Sequence, residues 1–245
     1  SKRDEISEML SAVGGATGAN YCNGGQYDTV YNRYKNTEGF ALYGAETASH
    51  VNSRGVYNVT GSQQLNGDKA LTSYDYSAVG WGAVASSAWY DVITRDFVAG
   101  EYVWTGFDYL GEPTPYYTDW PSHSSLFGIV DLAGLPKDRF YLYRSHWNKD
   151  VETLHILPHW NWEGREGEVT PVFVYTNYPS AELFINGKSQ GKRTKDLSVT
   201  VENSADSTSM ANFKRQQRYR LMWMDTKYEP GTVKVVAYNE KGEAV

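Results

Sequence analysis

The 245-residue chain carries 23 Lys and Arg against 29 Asp and Glu, a net charge of −6 with no basic run, which argues against a nucleic-acid partner or an anionic membrane surface. That length suits one large or two ordinary domains, the 40% hydrophobic content is enough to build cores, and no stretch of about 18 apolar residues marks a transmembrane helix. A single cysteine, Cys22, precludes an internal disulfide and reads as a small core residue.

In chain order, Asp4 to Val13 has apolar residues at Ile6, Met9, Leu10 and Val13, a helical spacing that Gly14-Gly15 ends. Ala16 to Asn23 reads as a short strand. The glycines at 14, 15 and 18 follow a helix and precede a strand, the wrong order for a dinucleotide fingerprint. Tyr27 to Lys35 is helical, with Tyr27, Val30, Tyr31 and Tyr34 on one face. Gly39 to His50, reading GFALYGAETASH, has the short apolar run bounded by glycine of a buried parallel strand. The strand, helix, strand order implies a right-handed parallel crossover. Glu46 then sits at the carboxyl end of its strand. That is where catalytic groups project in barrels of alternating strands and helices, although a structural acid tied to an arginine or capping a turn is an equal alternative.

Val51 to Ser73 is a long loop rich in Asn, Ser, Gly and Gln, of a kind that overhangs functional sites. Within it Arg54 reads as neutralising a carboxylate, binding substrate or remaining solvated. Asn58-Val59-Thr60 is a glycosylation sequon only if the source glycosylates. A helix from about Val84 to Phe97 leads into a strand at Glu101 to Asp108. Asp108 at its mouth is a hydroxyl acceptor or a loop anchor, and Glu112, in a turn, reads as structural. In PKDRFYLYRSHW, Pro136 fits the first helical position, with Phe140, Tyr143 and Trp147 on one stripe.

From Val151 the helical spacing gives way to short strands rich in β-branched and aromatic residues, with turns at Asn186-Gly187 and Glu229-Pro230-Gly231, the pattern of an immunoglobulin-like β-sandwich. His155 and His159 are spaced like a helical metal pair, but Pro158 and the strand pattern argue against a zinc site. The 20 tyrosines and 8 tryptophans suit sugar rings or simply fill sheet cores.

GFALYGAETASH resembles the nucleophile strand of glycoside hydrolase family 2, the β-galactosidase and β-glucuronidase family. The resemblance continues through EYVWTGFDYLGEPTPYY, PKDRFYLYRSHW, LHILPHWNW and AELFINGKSQG, in the family's order and over most of the chain. It implies that residues 1–150 are the C-terminal part of a (β/α)8 TIM barrel and residues 151–245 the sandwich that follows. It also implies a fragment, because a family 2 enzyme carries a sandwich and half a barrel before this point. By the same resemblance Glu46 is the nucleophile, the Tyr21 hydroxyl of Asn20-Tyr21 reaches it, and Trp104 floors the sugar subsite beside a cis peptide to Thr105. Asn20, Asp108 and Arg54 join Trp104 as candidate substrate-binding residues.

Retaining glycosidases need two carboxylates about 5–5.5 Å apart, a nucleophile and an acid/base. The family places the acid/base in an Asn-Glu pair on an earlier strand, and no Asn-Glu precedes Glu46 here; Asn239-Glu240 lies in the sandwich region. The expectation is therefore part of a retaining exo-β-glycosidase, foremost a β-galactosidase, lacking its general acid and inactive by itself. Its partners are a carbohydrate with a terminal β-linked sugar and the upstream half of the same enzyme, and a homo-oligomer is compatible with it. No cofactor is implied, while a structural or catalytic metal ion in the full enzyme stays open. A periplasmic or secreted bacterial location follows from the resemblance alone. The alternatives are a carbohydrate-binding or scaffold module built on the sandwich and the Trp160–Trp162 run, and a catalytically inactive relative.

Overall fold

The computed structural model describes residues 8–57, 72–75, 78–117, 123–199 and 215–245. The Asn58-Val59-Thr60 sequon, most of the long loop around it and the first residues of the expected opening helix lie outside them; residues 8–12 are helical. Strands and helices then alternate as β1 (Ala16–Asn20), α1 (Gly24–Tyr34), β2 (Ala41–Ala48), α2 (Ala85–Ile93) and β3 (Val98–Trp104). The strands form a parallel sheet in the order β1-β2-β3, with β2 in the middle.

Leu42 of β2 and Val98 of β3 share a core with Tyr27 of α1 and Val92 of α2, so both helices cover one face of this sheet, as crossovers of a single hand require. The opposite face carries Tyr43 and Tyr102, edge to face at 5.8 Å between ring centroids, with Tyr102 70% exposed. Among the described residues the sheet is open at both edges and forms no closed barrel.

Helix α1 starts three residues before the sequence pattern suggests. The reason is a capping box: Asn23 accepts from the Gln26 backbone at 3.1 Å, and the Gln26 side chain accepts from the Asn23 backbone at 2.9 Å. The strand expected over Glu101–Asp108 is displaced toward the amino end. After Trp104 the chain leaves the ladder, and Thr105 exchanges backbone hydrogen bonds with Phe127 and Ile129. Two short strands, β4 (Tyr109–Leu110) and β5 (Ser124–Ser125), pair antiparallel beyond it. Pro136 is not the first helical residue. Helix α3 runs Asp138–Trp147 behind an extended Lys137 N-cap, whose side chain turns inward to Asp108 at 2.7 Å instead of facing solvent.

The remaining strands are antiparallel. β6 (Leu154–Leu157), β7 (Val172–Thr176) and β10 (Leu221–Trp223) make one sheet in the order β10-β7-β6. β8 (Ser180–Ile185), β9 (Lys188–Thr194) and β11 (Val233–Tyr238) make another in the order β11-β8-β9. Asn186 and Gly187 form the two-residue loop between β8 and β9 with φ of +49° and +79°, the left-handed pair that lets a hairpin follow the twist of its strands. Alternation along β7 explains the packing on either side of it. Val172 and Val174 meet Ala181 and Leu183 of the second sheet, with Leu221 and Trp223 beside them. Phe173 and Tyr175 point the other way, into a core with Ala85 and Tyr90 of α2 and Leu142 and Tyr143 of α3.

A buried ion pair crosses the same junction. Asp75 takes the backbone N–H groups of Ala85 and Ser86 at 3.0 and 3.2 Å, capping α2, and pairs with Arg220 at 2.5 Å. The Arg220 guanidinium lies 5.1 Å from the Tyr175 ring centroid. Burial pushes the Asp75 carboxyl up, but Arg220, His50 and Ser86 together outweigh it and hold it at about 2.

Candidate functional site

Glu46 sits near the carboxyl end of the central strand, and the register places it. Between β1 and β2, Ala19 faces Gly44 but Asn20 faces Glu46, and between β2 and β3, Gly44 faces Glu101 but Thr47 faces Val103. The extra residue in β2 is a bulge, a device that re-aims a side chain beside active sites. The Asn20 amide donates to one Glu46 oxygen at 3.1 Å and the Tyr21 hydroxyl donates to the other. The Tyr21 backbone N–H also bonds the Glu46 carbonyl at 2.9 Å. Tyr21 holds φ at +57°, with Ala48 at +58° and Ser49 at +51°. Three non-glycine residues in the left-handed region at the end of one sheet are an over-determined arrangement of the kind that marks functional sites.

Trp104 ends β3 directly opposite Ala48 of β2. Its ring is 38% exposed, its indole N–H donates to the Tyr109 hydroxyl at 3.3 Å, and its peptide to Thr105 is cis. Thus Asn20, Tyr21, Glu46 and Trp104 come from the same end of three adjacent strands. A cavity of about 820 Å³ opens beside Tyr21 and Ala48 and runs between α1 and α2, past Trp81, Asp28 and Arg95; Glu46 itself is not in its wall. Trp81, in the cavity wall and 42% exposed, was open to discovery from the sequence as an aromatic in a Gly-Trp-Gly turn.

Asp108 and Arg54 are engaged elsewhere. Asp108 is 6% exposed and gives one oxygen to both Lys137 and the Gly128 backbone N–H, at 2.7 and 2.8 Å. Arg54 pairs with Asp131 at 2.5 Å, half-exposed. Lys137 also donates to the carbonyls of Asn52 and Leu126, and Arg139 donates to those of His50, Phe127 and Gly128. Two cations from the start of α3 therefore bracket the segment that leaves β2 and the loop that faces Trp104. Burial pulls Lys137 down to about 8, against the opposing pull of Asp108, and Arg139 down to about 10. Glu112 accepts from Thr114 within its own turn. Cys22 is partly buried at the cavity wall.

His155 and His159 turn to different partners. His155 bonds Asp138 at 2.6 Å and stacks on Tyr141, while His159 stacks on Trp162 at 4.1 Å. Trp160 is packed against Tyr228 and donates to the Glu229 carbonyl, and Trp162 lies under the Arg165 guanidinium. Both rings of the Trp160–Trp162 run are committed to internal contacts.

A β-galactosidase of Bacteroides ovatus, BoGH2A, is 46% identical over 176 residues, 72% of this chain and 18% of the relative. A β-glucuronidase of Bacteroides fragilis is 33% identical over 113 residues, 46% of this chain and 16% of the relative. The crystal structure of a β-glycosidase from Bacteroides vulgatus superposes with a TM-score of 0.71 at 27% identity, covering 93% of this chain and 29% of that one. The chain belongs to glycoside hydrolase family 2. A model described as a domain of unknown function (DUF4982) matches residues 167–245. The chain spans less than a third of the length of each of these relatives.

Proposed function

We propose that these residues form the nucleophile-bearing part of a bacterial retaining exo-β-glycosidase, foremost a β-galactosidase. Residues 1–150 serve as the late strands and helices of its (β/α)8 barrel, and residues 151–245 as an immunoglobulin-like sandwich. Glu46 attacks the anomeric carbon and carries the glycosyl intermediate, while an acid/base carboxylate from outside these 245 residues protonates the leaving oxygen. The observation that carries this reading is the pair of side-chain donors, Tyr21 and Asn20, converging on the two oxygens of a carboxylate at the carboxyl end of the central strand. Donors to both oxygens fix the direction in which the carboxylate faces. Trp104, an exposed ring at the end of the neighbouring strand, supplies the sugar platform. Asp108 and Arg54 act as loop anchors in the walls of the site.

The test is Glu46→Gly in the complete enzyme. Turnover of a dinitrophenyl β-galactoside should fall by about 10³-fold or more, with azide restoring product as the glycosyl azide of inverted configuration. Retained turnover would reject Glu46 as the nucleophile. Running the same variant pair on the β-glucuronide reads the sugar preference.

A further inference from the structure

Glu101 lies on the back of this sheet and takes no part in the site as described. It faces Gly44 across the β2–β3 pair, just before the bulge that aims Glu46. Both carboxyl oxygens are buried, with no cation and no well-aligned hydrogen bond among the described residues. The Thr47 hydroxyl, beside the carboxyl, is turned to the Tyr102 carbonyl at 3.4 Å. Behind Gly44 there is no room to spare: a Cβ there would lie 2.6 Å from the Tyr27 hydroxyl and 3.4 Å from the Glu101 Cβ.

The groups facing Glu101 are neutral or acidic. Thr47 of β2 and Asp91 of α2 act on it, and Tyr27 of α1 and Tyr143 of α3 sense its charge in turn. Around these, Cys22, Arg95 and Asp91 face Tyr27, while Arg139 and Asp75 face Tyr143. The nearby guanidinium of Arg95 is bound in bidentate fashion by Asp28, at 2.8 and 3.0 Å. An ionised carboxylate buried with no cation beside it and no donor but the Thr47 hydroxyl is costly, and the neutral form is the one such a pocket accepts. Burial accordingly pushes the Glu101 carboxyl up to about 7. The cavity between α1 and α2 reaches both Thr47 and Asp91, which gives the proton a way in.

We propose that Glu101 is a positioning residue that works as a neutral acid, wedged with Tyr27 and Thr47 behind the β2 bulge so that Glu46 keeps its aim. Ionisation of Glu101 places an unpaired charge against Gly44 and Thr47 and loosens the bulge. The role rests on Glu46 as nucleophile, but the protonation of Glu101 does not.

The experiment uses the complete enzyme and a dinitrophenyl β-glycoside, whose leaving group needs no general acid. For the wild type, the burst rate of glycosylation should fall about tenfold per pH unit above about pH 7, with KM little changed. Glu101→Gln, the uncharged isostere, should hold a rate within about threefold of wild type at about pH 6 and lose that alkaline fall. An alkaline fall unchanged in Glu101→Gln would overturn the proposal. Infrared titration of enzyme with ¹³C-labelled glutamate should show a carboxylic-acid band that disappears near neutral pH and is absent from Glu101→Asp. An ionised Glu101 at about pH 6 would overturn the proposal even if Glu101→Gln fails to fold. If Glu46→Gly is not rescued by azide while this band titrates as expected, the nucleophile assignment fails and the neutral Glu101 stands.

Discussion

Asn20, which closes β1, and Tyr21, which follows it, decide what the Glu46 carboxylate can do. Asn20 and Tyr21 are adjacent in sequence, yet they reach different oxygens of Glu46 because Asn20 closes the strand while Tyr21, at φ +57°, swings its side chain back over the sheet end. A hydroxyl aimed at a reacting carboxylate is worth most when charge moves, so its removal falls on the rate. Tyr21→Phe in the complete enzyme should lower kcat/KM by about 10²-fold while leaving the thermal midpoint nearly unchanged. Steady-state kinetics beside a melting curve checks this, and a variant as fast as wild type would show that the hydroxyl does not face the reacting atoms. Glu46 was legible as an acid at the end of a short apolar run bounded by glycine, whereas Asn20, Tyr21 and Trp104 stood out only through the family resemblance, because no local pattern distinguishes them from aromatic and polar residues that fill a sheet. Asp108 was legible as an acid at a strand mouth, but its partner Lys137 lies 29 residues on, and no local pattern announces a lysine that will be buried.

At the scale of elements, the three strands are held in register by what is missing as much as by what is present. Gly44 is the clearest case: an added Cβ would lie 2.5 Å from the Thr47 Cγ2 and 2.6 Å from the Tyr27 hydroxyl. Gly44→Ala should therefore cost about 1–3 kcal/mol of stability, as overpacking does. Adding Tyr27→Phe removes one of the two clashing atoms, so the double variant should be more stable than the sum of the single effects predicts. Chemical denaturation of the four proteins gives the cycle, and strict additivity would mean that residue 44 does not press on Tyr27. The order of strands and helices was readable from the sequence because periodicity reports which face is buried. Their ends were not, since these depend on caps. The Asn23/Gln26 box was present in the sequence to be found, whereas the cap of α2 comes from Asp75, ten residues before it, beyond the reach of any helix-start signal.

For the molecule as a whole, the joint between the parallel sheet with its helices and the antiparallel sheets is both apolar and ionic. Breaking a buried pair by removing one partner costs about 3–5 kcal/mol, so Arg220→Met should destabilise the protein by that order, and the wild-type pair should show in the acid limb of stability. The Asp75 carboxyl is held at about 2, below its ordinary value of 3.8. Between those values the unfolded chain binds the proton and the folded one does not. Stability from this group is therefore complete above about pH 4 and drains away as pH falls toward 2. Thermal melting across that range should show a steeper acid decline for wild type than for Asp75→Asn, which starts lower and stays flatter; parallel curves would rule the linkage out.

Strand β7 is covered on both sides, by the second antiparallel sheet on one and by α2 and α3 on the other. The match to residues 167–245 begins after β6 and before β7, although these two strands are neighbours in a single sheet. A recombination event at that seam would deliver a β7 that keeps β10 but lacks β6, and would leave Tyr90, Leu142 and Tyr143 facing water. Inheritance of this segment is accordingly tied to what precedes it. A gene exchange that leaves a working protein must cut before Leu154 and bring Phe173 and Tyr175 together with a host whose α2 and α3 already fit them.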